Sequence, residues 1–414
     1  MLNFANLYKG LPKSIYILFI VQIVNRFGDF VSPFLTLYLT KKLGLSFETT
    51  GLIIMAGFIL GAAGSLVCGK FADQLGRKRV YILIQTIAGM SLVPGAFFQN
   101  NPFVIVICVL IATFFNVAVG PLIASMIADM LPPDKRQVGY SLNYLGINLG
   151  VSLGPLVAGF LFNNCVALLF IGDAMTSFVA VCLVVMYVTD IYVTAQEVPA
   201  TAKENDESGN IAEVLWRRPQ VIIFFLIYII YSVVYIQYSF SLPITLDSRF
   251  LARGPEIFGS LMSVNALTVM TLATWITIAT KKFKPLNNIV MAGVLFAIGF
   301  GIIGVISTFS MFIISTILWT AGEILISTNF RVYIANNSPR NYRARFAALG
   351  NLSIGIGRAL GTSVIGQYIG VIGINAVWPL IFILAATASV FMFLLSSYSN
   401  RFFHGPSTFN QVSK

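Results

Sequence analysis

The 414-residue sequence is poor in the side chains that enzymes use for catalysis. It contains a single histidine, His404, and four cysteines without the spacing of a metal site. No phosphate-binding glycine loop is present, which argues against direct coupling to ATP. Only 10% of the residues are charged, whereas a soluble chain has about 25%. The sequence therefore gives no indication of an enzyme, of a cofactor or metal site, or of a soluble domain.

Long apolar runs are abundant instead, and hydrophobic residues make up 57% of the chain. Each run has the length of one membrane crossing, about 20 residues. These runs are too long for barrel strands, and backbone groups in lipid have to be satisfied within the segment, so we predict helices. The twelve predicted helices cover 14–40, 47–69, 79–98, 103–131, 137–162, 165–188, 221–244, 257–280, 286–306, 311–335, 344–369 and 373–397.

Lysine and arginine are distributed unevenly between the connections of these helices. With the N-terminus in the cytoplasm, about twenty lie on the inner side and four on the outer side, namely Lys41, Lys42, Arg249 and Arg253. The positive-inside rule therefore places both termini in the cytoplasm. The net charge of +11 then reflects attraction to the anionic lipids of the cell membrane and not to nucleic acid.

A polar, acidic stretch over residues 190–220 separates the sixth and seventh predicted helices. We interpret it as a cytoplasmic linker between two six-helix bundles, residues 1–189 and 221–414. Three glycines of the first half overlay three of the second with an offset of 207 residues: Gly150, Gly154 and Gly159 with Gly357, Gly361 and Gly366. Such repeats are typical of secondary transporters, which bind their substrate between pseudo-symmetric bundles.

The loop GKFADQLGRKRV joins the second and third predicted helices. It resembles the G-x-x-x-D-x-x-G-R-[RK] loop of the major facilitator superfamily, and the matching residues are Gly69, Asp73, Gly76, Arg77 and Lys78. The glycines permit close helix approach and a tight turn. Asp73 can accept hydrogen bonds from a helix N-terminus, and Arg77 can hold an acid, for which Asp129 is the candidate. The resemblance implies a twelve-helix fold with a latch that stabilises one orientation of the two halves.

The fifth predicted helix contains GVSLGPLVAG, with Gly150, Gly154, Pro155 and Gly159. This stretch is similar to the G-x-x-x-G-P-x-x-G-G signature of the antiporter branch of the same superfamily, except that Ala158 replaces one glycine. The similarity implies an exporter of drugs or metabolites. Glycines four residues apart also pack helices closely in any membrane protein, so ordinary packing is the alternative interpretation.

Two charges, Arg26 and Asp29, lie inside the first predicted helix. A charge at the membrane centre costs about 2.5 to 3.5 kcal/mol and is tolerated for function or within a pair. The stretch QIVNRF resembles the E-x-x-E-R-F signature of proton-coupled oligopeptide transporters, but Gln22 and Asn25 replace its glutamates and cannot carry protons. The pair is thus either a proton-coupling element centred on Asp29 or a structural brace.

The second half contains its own central acid, Glu323, in the stretch ILWTAGEILIST. This setting resembles the central glutamate of some multidrug exporters of the superfamily. A carboxyl sheltered from water can bind and release a proton as a cavity opens to either side. A structural pair with Arg358, at similar depth in the eleventh predicted helix, is the alternative.

Several polar and aromatic residues on helix faces are candidates for contact with a substrate: Gln22, Asn148, Tyr231, Tyr235, Tyr238, Asn265 and Trp275. Together with Tyr228, three of these tyrosines recur at helical spacing on one predicted face, which suits a flat organic molecule. The same face could equally serve packing.

The function predicted from these features is proton-coupled antiport by alternating access, in a multi-pass protein of the cell membrane that works as a monomer. Its partners would be a lipophilic drug or metabolite, protons and membrane lipids. One alternative is a proton-coupled symporter that imports peptides or other small nutrients. A second is a membrane receptor or scaffold without transport.

Overall fold

The computed structural model describes residues 8–189, 210–339 and 342–402. Most of the predicted linker, residues 190–209, and the tail that contains His404 lie outside these ranges. Within them every regular element is a helix, as predicted. The helices are α1 (Lys13–Phe27), α2 (Val31–Leu37), α3 (Phe47–Leu75), α4 (Arg77–Phe97), α5 (Pro102–Met130), α6 (Arg136–Asn164), α7 (Ala167–Tyr187), α8 (Ile211–Trp216), α9 (Pro219–Tyr235), α10 (Ser241–Phe250), α11 (Gly254–Thr280), α12 (Pro285–Gly301), α13 (Phe309–Asn337), α14 (Arg343–Ile372) and α15 (Val377–Phe402).

Ten stretches of the described chain are long and apolar enough to cross a membrane. One of them, Pro219–Thr280, has 62 residues and therefore accounts for two crossings of about 20 residues each. The helix α14 is not among the ten, but it lies where the eleventh crossing was predicted. The prediction of an all-helical membrane protein with twelve crossings is thereby confirmed.

Two predicted helices differ from the structure because they are interrupted. The first, 14–40, ends as α1 at Phe27 and resumes as α2 at Val31, with a π-helical turn over Tyr38–Lys42. The seventh, 221–244, ends as α9 and passes through a 3-10 turn into α10. Apolar composition predicted both crossings but not the residue at which either one is interrupted.

Local sequence signals explain where several helices begin. The side chain of Ser46 accepts a hydrogen bond from the backbone N–H of Thr49 before α3, and Asn101 caps α5 in the same way. Proline at the first turn opens α5, α9 and α12, where its missing N–H costs nothing. These caps fix the connections, while the apolar segments supply the crossings.

The described chain forms two compact units. The first is built from residues of Met1–Val198, Gln237–Met270 and Thr362–Ile374, and the second from residues of Pro199–Ile236, Thr271–Gly361 and Asn375–Lys414. The core of the first unit contains aliphatic side chains of α1, α4 and α5 around the fully buried Tyr81. The core of the second unit contains stacked aromatic rings. The centroid of the Phe300 ring lies 5.5 Å from that of Trp319 and 6.4 Å from that of Trp378, and both interplanar angles are 10°.

The sequence repeat is visible as equivalent helix contacts within the first unit. A Cβ on Gly159 would lie 2.7 Å from the carbonyl oxygen of Pro255, and a Cβ on Gly366 would lie 2.6 Å from that of Phe47. Gly159 and Gly366 are 207 residues apart, and Phe47 and Pro255 are 208 apart. The two halves therefore use the same glycine for the same backbone contact.

A second pair of equivalent contacts divides between the units. In the first unit, a Cβ on Gly150 would lie 2.7 Å from the carbonyl oxygen of Ile23. In the second unit, a Cβ on Gly357 would lie 2.5 Å from that of Ile229. A glycine thus allows α6 to touch the backbone of α1, and the equivalent glycine allows α14 to touch the backbone of α9.

Candidate functional site

The break between α1 and α2 places irregular backbone inside a predicted membrane crossing. The N–H of Gly28 still donates to the carbonyl oxygen of Val24 (2.9 Å), but the regular pattern then stops. The N–H of Val31 donates to the Asp173 carboxylate on α7 at 3.3 Å. Since an unsatisfied backbone group in hydrocarbon costs several kcal/mol, Asp173 stabilises the point at which the helix resumes.

Three charged side chains gather at this break. Arg26 Nη1 lies 3.8 Å from Asp29 Oδ2, and the Asp173 carboxylate accepts the N–H of Val31, two residues after Asp29. The side chains of Arg26 and Asp29 are 37% and 35% exposed, whereas Asp173 is only 7% exposed. Sequence reasoning identified the first two and missed Asp173, although an acid inside the predicted helix 165–188 was the signal that marked it.

The glycine motif of α6 packs directly on the charged part of α1. A Cβ on Gly150 would lie 2.6 Å from the Cβ of Arg26, and a Cβ on Gly154 would lie 2.5 Å from the carbonyl oxygen of Phe27. Towards the other end of α6, Gly159 approaches the backbone of Pro255 as described above. The motif glycines are thus helix contacts, and Pro155 lies inside α6 between them.

A chain of amide and hydroxyl groups lies one turn from the charged cluster. Asn25 donates to the Tyr81 hydroxyl at 3.0 Å, while Gln85 donates to Asn25 Oδ1 at 3.3 Å and to Ser177 Oγ at 2.9 Å. These bonds join α1, α4 and α7. They fix the rotation of α1 next to the break.

The loop between α3 and α4 turns at Gly76, whose φ of +93° favours glycine. The turn directs Arg77 towards α5, where its Nη1 lies 2.5 Å from Asp129 Oδ2 and 2.5 Å from the carbonyl oxygen of Ser125. Arg77 and Asp129, the two side chains that the sequence suggested as partners, therefore form an ion pair.

The other residues of the predicted loop lie in the two helices, because α3 extends to Leu75 and α4 begins at Arg77. Lys78 donates to the carbonyl oxygen of Val188 at 2.7 Å and so caps the end of α7. Asp73 is exposed. A Cβ on Gly69 would have no neighbour within 4 Å, so the close helix approach expected there does not occur among the described residues.

The second unit contains a cavity of about 620 Å³ between α9, α13 and α14. Its walls combine aromatic rings, one carboxyl and three guanidinium groups. They are formed by Tyr228, Tyr231, Ser232, Tyr235, Phe296, Glu323, Ile326, Ser327, Phe330, Arg331, Ile334, Ala335, Arg343, Ala347, Asn351, Ile354 and Arg358.

The charges of this cavity lie beside its aromatic wall. Glu323 and Arg358 are both half-buried, and Arg331 and Arg358 both interact electrostatically with Tyr228. The hydroxyl of Tyr231 lies 3.4 Å from a backbone oxygen of α12 and from a serine of α15. Tyr231 therefore uses its hydroxyl for packing and offers the cavity its ring.

The cavity unites two of the seven predicted substrate contacts, Tyr231 and Tyr235. Tyr238 lies in the 3-10 turn after α9 and is not part of the lining. Asn265 is half-buried on α11, and Trp275 is 73% exposed. Helical spacing placed these side chains on faces, but it did not indicate what each face would meet.

The remaining two predicted contacts lie on α1 and α6 of the first unit, to which Tyr238 and Asn265 also belong. Gln22 is buried, and its side-chain oxygen has no hydrogen-bond partner among the described residues. Asn148 is buried and donates to the carbonyl oxygen of Tyr144 in its own helix at 2.8 Å. Both are polar groups on helices that pack together, α1 and α6.

Comparison with known proteins gives a consistent result. The sequence profile of the Major Facilitator Superfamily matches residues 18–362. An uncharacterized MFS-type transporter, YqjV, of Bacillus subtilis (strain 168) is 23% identical over 376 residues, which cover 89% of this chain and 88% of that protein. A Na⁺, Li⁺, K⁺/H⁺ antiporter of Planococcus maritimus is 25% identical over 356 residues, 80% of this chain and 83% of that protein.

Among solved structures, the nucleoside transporter NupG superimposes with a TM-score of 0.78 at 16% sequence identity. The match covers 92% of this chain and 99% of NupG. At this identity the likeness concerns the fold alone.

Proposed function

This chain belongs to the major facilitator superfamily of membrane transporters, and on that premise we propose that it is a proton-driven antiporter that exports amphiphilic organic molecules. The antiporter-type glycines of α6 and the relative named as a cation/proton antiporter support the proposal. The two halves, residues 1–189 and 221–414, would rock about the linker 190–220 to alternate access.

The observation that carries the proposal is the cavity of the second unit. Its volume of about 620 Å³ suits a drug-sized molecule, and ligand sites of this kind are mostly apolar with a few placed polar groups. Rings such as Tyr228, Tyr235 and Phe330 offer surfaces on which a flat molecule can stack. Arg358 offers a charged partner to an acidic or polar head group.

Glu323 is the residue that we assign to the transported proton. It shares the cavity with Arg358, so its protonation changes the charge that an incoming substrate meets. A carboxyl that holds either a proton or a polar group of the substrate, but not both, exchanges one for the other. Each inward proton then contributes about 2.3 kcal/mol per 100 mV of membrane potential.

Two further elements have assigned roles in this mechanism. The Arg77–Asp129 ion pair, together with Asp73 in the last turn of α3, is assigned to the latch that holds one orientation of the halves. Arg26 and Asp29 are assigned to a second charged element that responds to protons. Both assignments extend the resemblance of these residues to superfamily motifs.

The proposed setting is the cell membrane, with both termini in the cytoplasm and one monomer as the complete pathway. The distribution of lysine and arginine supports this orientation. Anionic lipids of the inner leaflet would contact the basic loops.

The test is a flux assay on the full-length protein in liposomes. With an outside-acid gradient, vesicles loaded with ethidium, an aromatic cation, should release the dye while a trapped pH indicator reports proton entry. Glu323→Gln should abolish the proton-driven part and leave downhill dye movement. Glu213→Gln is the control, because Glu213 is an exposed acid paired with Arg217 on α8. Gradient-driven release that survives in Glu323→Gln would refute the assignment.

A second candidate is symport of a proton with an organic anion. The observation that favours it is the excess of guanidinium groups: Arg331, Arg343 and Arg358 line the cavity with Glu323. Protonation of Glu323 makes this site more positive, so a proton and an anion would bind better together than separately. With carboxyfluorescein, an aromatic anion, added outside the vesicles, an outside-acid gradient would then drive the dye inward.

A further inference from the structure

We propose that Asp173 on α7 is a second proton-binding residue of this transporter and that it shares one proton with Asp29. The inference rests on the proposed proton coupling, but it concerns the first unit and a residue for which neither motif accounts. Asp173 is 7% exposed and is the seventh of the 21 residues of the membrane-spanning helix α7. Ionisable side chains inside such helices are costly to bury, and they usually have a functional role.

The charge balance of the cluster is the first argument. It contains two acids, Asp29 and Asp173, and one base, Arg26. The neighbouring helices α4 and α6 place their lysine and arginine residues in their first turns, away from the cluster, and the Tyr81 hydroxyl accepts a hydrogen bond from Asn25. With both acids ionised the cluster has a net charge of −1, and one bound proton makes it neutral. Two interacting carboxyl groups take up such a proton as a pair.

The unequal burial of the two acids is the second argument. The Asp29 side chain is 35% exposed, whereas Asp173 is 7% exposed and accepts the backbone N–H of Val31, two residues after Asp29. Because the two carboxyl groups interact electrostatically, ionisation of one strengthens proton binding by the other. Asp29 thus serves as the entry and Asp173 as the sheltered position.

The position of Asp173 also connects the proton to the backbone. Its carboxylate accepts the N–H of Val31, the first residue of α2. A hydrogen bond to an ionised acceptor is stronger than one to a neutral acceptor. Protonation of Asp173 would therefore loosen the point where α2 begins, while the glycines of α6 keep α1 in place.

The test counts protons on the purified full-length protein without any substrate. An alkaline pH step should release protons and reduce the infrared carbonyl band of protonated carboxyl groups. Asp173→Asn keeps an oxygen that can accept the Val31 N–H but removes the titratable group, and it should release about one proton fewer per chain. Asp29→Asn should give a similar loss, since the remaining acid is then balanced by Arg26. Ser363→Ala, a change at an equally buried position on α14, should match the wild type.

Each outcome has a separate meaning. Proton release and a carbonyl band in Asp173→Asn that match the wild type would overturn the inference and leave Asp173 as a hydrogen-bond acceptor only. If Asp173→Asn does not fold, an unchanged band in Asp29→Asn would overturn it instead. Absence of substrate-driven proton movement in wild-type liposomes would contradict the proposed antiport, but it would not change this proton count.

Discussion

Replacement of Gly154 by alanine tests how closely α6 has to approach α1. The new Cβ would lie 2.5 Å from the carbonyl oxygen of Phe27 and 3.1 Å from that of Arg26. Ordinary contact begins at 3.4 Å, so the first distance is too short by 0.9 Å. Both oxygens belong to the backbone and cannot rotate away. We expect an overpacking cost of about 1 to 3 kcal/mol, together with displacement of the Arg26 segment.

The chain offers a matched control in Gly120. It also precedes a proline inside a 29-residue helix, α5, and its Cβ would have no neighbour within 4 Å. Both substitutions gain about 1 kcal/mol of helix propensity and carry the same pre-proline restriction. In denaturant titrations in detergent, Gly154→Ala should therefore be less stable than Gly120→Ala by about 1 to 3 kcal/mol. Equal stabilities would refute the idea that this glycine permits an essential helix contact.

Two further predictions concern the ion pair and the cavity. Arg77→Gln and Asp129→Asn should each lower the free energy of unfolding. Because the paired side chains are only partly buried, the loss in the double variant should be smaller than the sum of the two single losses by about 0.5 to 1 kcal/mol. A double-mutant cycle of unfolding free energies checks this, and strictly additive losses would contradict it. Tyr228→Ala removes part of the cavity wall and should lower the initial rate of dye transport at low dye concentration. Trp275→Ala, at a 73% exposed position, should leave this rate unchanged. Equal losses of rate in the two variants would count against the cavity as the binding site.

The helix contacts show which features a sequence can predict. The offset of 207 residues predicted that Gly159 and Gly366 would be equivalent, and each approaches the backbone of a matching partner. Such contacts can be predicted from the local sequence, because a glycine at a given position of a helix leaves room for a neighbouring backbone, whichever helix supplies it. Twelve crossings were predictable for the same reason, since apolar length alone determines them.

The candidate site depended on information that the sequence does not contain locally. Gly28 alone does not indicate a break, since glycines occur inside many of these helices. The break is stabilised by Asp173, 142 residues away from Val31, so only the fold brings them together. Trp275 illustrates the reverse case: its helical spacing suggested a binding face, but its exposure shows that this face is not packed within its unit.

The stacked rings of the second unit have a consequence for spectroscopy. Trp319 is one turn before Glu323 on α13 and is fully buried against Phe300 at an interplanar angle of 10°. Trp216 and Trp275, by contrast, are 80% and 73% exposed. Replacing those two by phenylalanine would leave emission from the shielded indoles of Trp319 and Trp378. Intrinsic fluorescence would then report events near Glu323 without an attached label.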